Sequence, residues 1–422
     1  MFRILKDDWN PVWVYLFLNG TESFLFGLAF TVTMLFQVTI AGLNPLELVL
    51  VGSVLEGTIL VFEVPTGLVA DTISRRLSTL IGLALTGVSF LIQGALPVFG
   101  WILVSQVVWG VGYTFTSGAV TAWLVDEIGE DRAGTVFLRE TQVSNLTRVG
   151  GVLLAVALGS LNLAWPLLLS GGLFILLTGV LAVRMPETGF RPVRRSGRSV
   201  WHSMAGSFMT SLRFVRGQSD LRLLFTVTAL TGAASEGFDR LMAAHWVRDI
   251  GFPAIGGLQP VAWLAAISLL GSLLVAGGAR WMEARVDLRR LSGLAFVLSV
   301  LVAGTAVGML LFAVAAGFGL ALVGVLVVQV SRGLGAPLTQ TWLNRSLPSE
   351  LRATVLSMAG QMDAVGQVGG GPALGAIGNG LSVRTALGVS AAFLLPAAAL
   401  YRRWKPSPAP APIPTLPLDG AG

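Results

Sequence analysis

The chain has 422 residues, of which 54% are hydrophobic and only 12% are charged, and its mean hydropathy is +0.77. A soluble domain usually carries about 25% charged residues, so roughly half of the expected solvated surface is missing. One helical span of a bilayer takes roughly 20 apolar residues, and the apolar residues suffice for about eleven or twelve spans. This composition excludes a soluble enzyme, a nucleic-acid module and a disordered chain, and predicts a membrane protein.

The charge balance and the missing residue types narrow the chemistry further. The net charge is +6, from 28 Lys and Arg against 22 Asp and Glu, and in a membrane protein such an excess marks cytoplasmic loops rather than a nucleic-acid partner. Cysteine is absent, and only two histidines, His202 and His245, are present. We therefore expect no disulfide, no metal site and no cofactor. The N-terminal apolar run lacks a small-residue cleavage site, so no cleaved signal peptide is predicted.

Apolar runs separated by short polar or Gly/Pro breaks predict twelve spans, near 11–37, 45–71, 78–97, 101–124, 135–161, 164–183, 221–247, 258–281, 290–310, 319–343, 353–378 and 383–401. An arginine-rich stretch separates the sixth span from the seventh, and a proline-rich segment follows the last. The predicted organisation is an N-terminal six-helix bundle (1–184), a basic cytoplasmic linker (185–220), a C-terminal six-helix bundle (221–405) and a cytoplasmic tail (406–422).

The positions of the basic residues predict the orientation. Of the 28 Lys and Arg, 23 lie near the two chain ends or in loops on the same side, Arg248 and Arg384 lie on the opposite side, and three lie inside spans. Cytoplasmic loops carry the excess of basic residues. We therefore expect both termini in the cytoplasm and the chain in the plasma membrane, which in a bacterium is the inner membrane.

The two halves of the chain share a pattern of matched residues. Gln106 in the fourth span matches Gln329 in the tenth, 223 residues later, and Trp123 matches Trp342 at an offset of 219. Duplication of a six-span unit is typical of secondary transporters, whose substrate site lies near the midplane between the halves. The sequence therefore predicts two pseudo-symmetric bundles.

The loop after the second span reads Gly67-Leu-Val-Ala-Asp71-Thr-Ile-Ser-Arg75-Arg76. It resembles the Gly-x-x-x-Asp-x-x-x-Arg-Arg signature of the major facilitator superfamily, and residues 62–66 before it resemble the lead-in of the bacterial drug-efflux branches. The resemblance implies an all-α, twelve-span fold. It also implies that Gly67, Asp71, Arg75 and Arg76 hold the cytoplasmic side closed while the outside is open. The alternative is that the two arginines only set the topology.

Two positions depart from the antiporter pattern of that family. Gln106 occupies the place of an arginine that the resemblance leads one to expect, and a glutamine carries no charge with which to modulate a nearby carboxylate. The Gly-Pro-x-x-Gly string expected in the fifth span is absent there, but Gly371-Pro372-Ala-Leu-Gly375 occurs in the eleventh. Proton antiport is therefore less directly indicated than membership of the superfamily.

Nine ionisable residues fall inside predicted spans, at a cost of several kcal/mol each, and such residues are by default functional candidates. Six are acids and three are bases. Glu236 and Arg240 lie four residues apart and can neutralise one another, whereas Arg148 and Arg332 need a partner on another helix or an anionic ligand. Unpaired acids are better tolerated protonated than charged, which is what a proton carrier needs.

The first span carries polar and aromatic residues at three- and four-residue spacing, which places them on one face of a helix and predicts a cavity lining. Its aromatic members suit an apolar ligand, although ordinary helix packing explains each of them equally well. The candidate proton-coupling or cavity residues of the whole chain are Asn19, Glu22, Phe26, Phe30, Glu56, Gln106, Arg148, Glu236, Asp239, Arg240, Arg332 and Asp363.

The predicted function is secondary active transport by alternating access, most simply the proton-coupled export of lipophilic or cationic small molecules. The expected partners are a small-molecule substrate, protons and the lipid bilayer, with the proton gradient as the energy source and a monomer as the unit. A proton-linked metabolite symporter, a lysolipid translocator and a non-transporting sensor are the alternatives. No hydrolase, zinc-protease or nucleotide-binding motif is present, so an enzyme is not expected.

Overall fold

A computed structural model describes residues 10–192, 209–285, 291–347 and 349–404. These residues form helices and contain no strand. In chain order the α-helices are α1 (Pro11–Thr39), α2 (Pro45–Thr72), α3 (Arg75–Ala95), α4 (Phe99–Thr116), α5 (Ala119–Ile128), α6 (Glu130–Gly159), α7 (Ala164–Arg184), α8 (Ser219–His245), α9 (Pro260–Arg285), α10 (Leu291–Val314), α11 (Phe318–Arg345), α12 (Ser349–Gly380) and α13 (Val383–Arg403). A π-helix, Trp246–Ile250, extends α8.

Eight of these helices, α1, α2, α3, α7, α9, α10, α11 and α13, are long and apolar enough to span a membrane. The other predicted spans correspond to α4 with α5, to α6, to α8 and to α12. Several charged residues lie in α6, α8 and α12, which lowers their hydropathy. The all-helical membrane fold is confirmed, whereas the count of twelve spans stays a prediction. Residues 193–208 of the basic linker and the whole 406–422 tail lie outside the described residues.

The fourth predicted span differs from the expected single helix. It is divided into α4 and α5 because Gly118 adopts a left-handed conformation with φ of +73°, which a residue with a side chain rarely adopts. Helices α1, α2, α3 and α13 begin at side-chain caps. Asn44 and Glu47 exchange hydrogen bonds of 2.9 Å in a capping box at α2, and Ser74 Oγ accepts from Leu77 N at 2.9 Å at α3.

The packing pattern of the first six spans recurs in the last six. In the N-terminal half α1 packs on α6, and α3 packs on both α4 and α7. In the C-terminal half the equivalent helices pair in the same way: α8 packs on α12, and α10 packs on both α11 and α13. The matched residues of the two halves thus lie in matched helix pairs.

The two halves meet mainly where α2 packs on α12. Gly371, Gly375 and Gly378 face Val49, Leu46 and Pro45 of α2 across this contact, and small residues allow such close helix packing. On the same end of the molecule Arg248 Nη2 donates to the Leu43 carbonyl at 2.7 Å, which joins the halves again. Further along, α2 and α12 diverge around a cavity. The halves are therefore closed at the Leu43 end and separated at the opposite end.

Candidate functional site

A cavity of about 280 Å³ lies between the two halves, beside the α2–α12 contact. Its two walls differ in chemistry. The N-terminal half supplies mostly aromatic and uncharged polar side chains, and the C-terminal half supplies charged ones. The lining residues are Phe30, Thr33, Met34, Ser89, Phe90, Gln93, Gln106, Trp109, Glu236, Asp239, Arg240 and Gln367. Five of the predicted residues, Phe30, Gln106, Glu236, Asp239 and Arg240, are thus brought together.

The aromatic wall is a connected cluster of rings from four helices. Phe26 and Phe30 stack with centroids 5.1 Å apart, and the Phe30 and Trp109 centroids are 5.2 Å apart. Phe26 contacts Phe174 behind the wall at 5.3 Å, so it supports the wall and Phe30 forms its surface. Phe30 keeps 42% of its surface exposed, and an apolar ligand can contact it there.

Two glutamines form the polar part of the same wall. Gln106 Nε2 donates to Gln93 Oε1 at 3.1 Å and to Ser105 Oγ at 3.2 Å, and both glutamines are buried. Sequence reasoning found Gln106 but missed Gln93, Phe90 and Trp109. The available signal was weak: Gln93 and Phe90 lie one helical turn apart on α3, and Trp109 lies in the repeated string that begins at Gln106.

The charged wall contains a buried ion pair at the contact between the halves. Arg240 Nε donates to Glu236 Oε1 at 3.0 Å, and the two side chains are only 12% and 3% exposed. This is the mutual neutralisation that their four-residue spacing allows. The pair lies directly on Gly52 of α2, where a Cβ atom would overlap both side chains. Gly52 therefore permits α2 to approach the pair.

Arg332 forms an ion pair with an acid on another helix, which is one of the two kinds of partner expected from the sequence. Its two terminal nitrogens donate to the two carboxylate oxygens of Asp239 at 2.7 and 2.9 Å, a bidentate pair about half exposed to the cavities. Asp239 borders the central cavity and also a second cavity of about 490 Å³ inside the C-terminal half. Asp363 lines that second cavity and accepts a hydrogen bond from Gln367 Nε2 at 2.8 Å.

A third cavity of about 420 Å³ lies between the halves where α2 and α12 diverge. Glu56 and Glu63 line it from α2, and Trp109 and Tyr113 line it from α4. Glu56 lies one turn from Gly52, and therefore close to the buried ion pair. Within the described ranges, neither Glu56 nor Asp363 has a guanidinium group within 4.0 Å.

Apart from Phe26, which lies behind the aromatic wall, three predicted residues lie elsewhere. Glu22, Asn19 and Arg148 do not line any of these three cavities. These residues lie on the same helices as cavity residues, or on helices packed against them, but at a different level along the helix axis. Glu22 is eight residues before Phe30, which is about 12 Å along α1. Asn19 Nδ2 donates to the Tyr15 carbonyl at 2.8 Å within the same helix. Arg148 packs against Gly27, and the part of the chain described here contains no ion pair between Arg148 and either Glu22 or Glu56.

The loop signature makes its contacts within the N-terminal half. Arg75 Nη1 lies 2.7 Å from Asp126 Oδ2 on α5 and Arg75 Nη2 lies 3.8 Å from Asp71 Oδ1, while the Asp71 side chain is 60% exposed. Arg76 N donates to Glu187 Oε1 at 2.9 Å. A Cβ atom added at Gly67 would have no atom of the described residues within 4 Å, so none of their other helices packs closely on this glycine in this conformation. The arrangement agrees with separated halves at this end of the molecule.

The segment after α7 is hydrogen-bonded to α5. Trp123 Nε1 donates to the Pro186 carbonyl at 2.7 Å, and Glu127 Oε1 accepts from the backbone N–H groups of Thr188 and Gly189 at 2.6 and 2.7 Å. Because Glu187 also accepts from Arg76, this segment joins the signature loop to α5. The start of the linker is thus held against the N-terminal half.

The internal repeat provides a matched test of the hydrogen bond between Trp123 and the Pro186 carbonyl. Trp123→Phe is expected to cost about 1 kcal/mol of stability beyond the loss of packing, because the Pro186 carbonyl loses its donor. Trp342 is the repeat equivalent, and its buried Nε1 has no acceptor among the described residues. Both substitutions leave a similar cavity in the core, but Trp342→Phe breaks no such hydrogen bond, so it is expected to cost about 1 kcal/mol less than Trp123→Phe. Thermal unfolding of the two variants in detergent measures this difference, and equal losses would contradict the role of the Trp123 hydrogen bond.

Comparison with known proteins indicates a membrane transporter. No family model matches the chain. An uncharacterized MFS-type transporter of Bacillus subtilis strain 168, YxaM, is 22% identical over 361 residues, which are 84% of this chain and 86% of that protein. The nucleoside transporter NupG superposes with a TM-score of 0.73 at 13% identity, over 94% of this chain and all of that chain.

A bacterial homologue of the human lysosomal transporter Spinster, in an inward-facing and unoccupied conformation, superposes with a TM-score of 0.67 at 16% identity, over 94% of this chain and 98% of that one. The resemblance to the major facilitator superfamily is confirmed: the relative is an MFS-type transporter, and the chain has the fold of these transporters. The resemblance to the drug-efflux branches stays a prediction.

Proposed function

We propose that this chain is a secondary active transporter that exports lipophilic or cationic small molecules in exchange for protons. The observation that carries the proposal is the pair of cavities that share Trp109, which place an aromatic wall near Glu56, an acid without a basic partner among the described residues. Phe30 and Trp109 suit an apolar group, and Glu56, which lines the third cavity together with Trp109, suits a positive charge. Such a cavity between two pseudo-symmetric halves is where alternating access brings a substrate.

The closed and open ends support an inward-facing conformation. The halves touch near Leu43 and Arg248 and diverge towards the end that carries Arg75 and Arg76. We propose that the basic end faces the cytoplasm, with both termini there, and that the chain is a monomer in the plasma membrane. Asp71 is then mostly exposed, with only a 3.8 Å contact to Arg75, because the two halves are apart at the cytoplasmic end.

The acids near the cavities support coupling to protons. Arg240 and Arg332 already have carboxylate partners, so two of the acids around the cavities are neutralised. Glu56 and Asp363 have none within the described residues, and in the bilayer such acids are most easily tolerated when they hold a proton. A cationic substrate and protons can therefore compete for the same carboxylates. The same two pairings weigh against an anionic substrate, for which Arg148 would be the remaining intramembrane base.

The test is transport by purified protein in vesicles. Ethidium is a quaternary cation, so a pH gradient alone does not trap it. With the membrane potential clamped by valinomycin and K⁺, an acidic lumen is expected to drive ethidium into the vesicles as protons leave. Accumulation that ignores the pH gradient would contradict proton exchange.

Two acid substitutions identify the coupling residue. Glu22 and Glu56 are both candidates from the sequence, and the cavity geometry favours Glu56, because Glu56 lines the third cavity whereas Glu22 lines none of the three. Glu56→Gln is expected to lose most of the gradient-driven accumulation while ethidium still moves down its own gradient. Glu22→Gln is expected to retain accumulation at an equal amount of inserted protein. The reverse result would return the coupling role to Glu22.

A further inference from the structure

Two hydrogen-bond donors in the aromatic wall have no acceptor. They are Gln93 Nε2 and Trp109 Nε1, and both atoms are buried without a partner among the described residues. Gln93 is only 2% exposed, and its Oε1 accepts from Gln106. This hydrogen bond holds the oxygen of the Gln93 side-chain amide, so the N–H groups of the same amide are directed away from Gln106. Both residues line the central cavity.

Unpaired buried donors are rare in folded proteins because each loses its hydrogen bonds to water without gaining another. Here two of them belong to one wall of one cavity. This distinguishes them from the orphaned Gln37 amide, which does not line the cavity. A ligand that brings a hydrogen-bond acceptor to this wall satisfies donors that the protein leaves unpaired.

The rings beside these donors restrict the shape of that ligand. The Phe30 and Phe90 centroids lie 5.2 and 6.2 Å from the centroid of Trp109. A flat aromatic group in contact with these rings keeps an acceptor on its edge close to the wall, whereas a flexible aliphatic chain does not fix the position of an acceptor. Trp109 also lines the third cavity, where the carboxylate of Glu56 has no basic partner among the described residues.

We propose that the preferred substrates are aromatic cations that carry a carbonyl-type hydrogen-bond acceptor. The acceptor binds Gln93 and Trp109, the ring packs on Phe30 and Phe90, and the positive group faces Glu56. This inference rests on the proposed function, because it specifies the lipophilic cation that the transporter exports. It makes Gln93 and Trp109 specificity-determining residues.

The test uses two probes of the same shape. One is 3-acetyl-1-benzylpyridinium, and the other is 3-isopropenyl-1-benzylpyridinium, in which C=CH₂ replaces C=O. Calorimetric titration of the purified protein is expected to give about five- to tenfold tighter binding of the acetyl probe. Gln93→Leu and Trp109→Phe remove one donor each while keeping most of the side-chain volume. Each is expected to weaken the acetyl probe selectively and to bring the ratio of the two affinities towards one.

Matched controls exist in the chain. Gln37→Leu and Trp263→Phe also remove buried orphan donors, but neither residue lines the cavity, so the wild-type ratio should remain. Equal wild-type affinity for the two probes would overturn this inference and leave cation transport standing. An unchanged ratio in both cavity variants would overturn the assigned residues. Absence of binding by both probes, together with no ethidium transport, would overturn the proposed function itself.

Discussion

Arg240→Met is expected to destabilise the protein by about 3–5 kcal/mol, because it leaves Glu236 as a buried charge without a partner. The pair is almost completely buried, so solvent screens the loss poorly. It also lies at the contact between the halves, so the substitution is expected to affect both unfolding and the separation of the halves. Chemical unfolding in detergent, followed by tryptophan fluorescence, measures the difference.

The double variant Glu236→Leu/Arg240→Met is the control. Replacement of both charges by apolar groups removes the desolvation cost with the attraction, and such replacements are often neutral. We therefore expect the double variant to recover most of the stability lost by Arg240→Met. A double variant as unstable as the single one would show that Arg240 acts through contacts other than its ion pair.

Gly52→Ala is expected to shift the protein away from the conformation described here. The added methyl group would overlap the Glu236 and Arg240 side chains, and overpacking of this kind costs about 1–3 kcal/mol, which is about a 5- to 150-fold change in population. The cost falls on the state in which α2 closes on α8 and α12. The opposite, outward-open state should gain.

Spin labels measure this shift directly, because the chain has no native cysteine to remove. Ile40→Cys and Ile255→Cys are exposed positions on the closed end, one in each half. The distance distribution between the labels should move to longer distances in Gly52→Ala. Gly57→Ala, on the same helix with no atom within 4 Å of the new methyl group, should leave it unchanged. An identical shift in both variants would assign the effect to helix propensity rather than to the ion pair.

Local spacing was sufficient for several features of the site. The four-residue separation of Glu236 and Arg240 predicted their pairing, and the lack of an acid near Arg332 in its own helix predicted a partner on another one, which is Asp239. The repeat of Gln106 and Trp123 in the second half predicted two similar bundles, and equivalent helices indeed pack alike. These features depend on helix geometry or on duplication, both of which a single sequence records.

Other features depend on how separate helices are placed, and periodicity does not record this. Phe90, Gln93 and Trp109 lie on α3 and α4, and they meet Phe30 only because α1, α3 and α4 converge. Glu22 shares a face of α1 with Phe30 but lies about 12 Å away along the helix axis. Periodicity therefore predicted the face of the helix but not the level at which the cavity lies along it. The break at Gly118 was missed because a glycine in an apolar run is compatible with a continuous helix.

A cation and protons are expected to compete for the carboxylates at the cavities. Calorimetric or dye-based measurement of proton release on ethidium binding, in weakly buffered detergent solution near neutral pH, tests this competition most directly. Saturation of the site should release protons, and Glu56→Gln with Asp363→Asn should reduce the release more than it reduces the binding. Saturable ethidium binding without any proton release would contradict proton exchange as the mechanism.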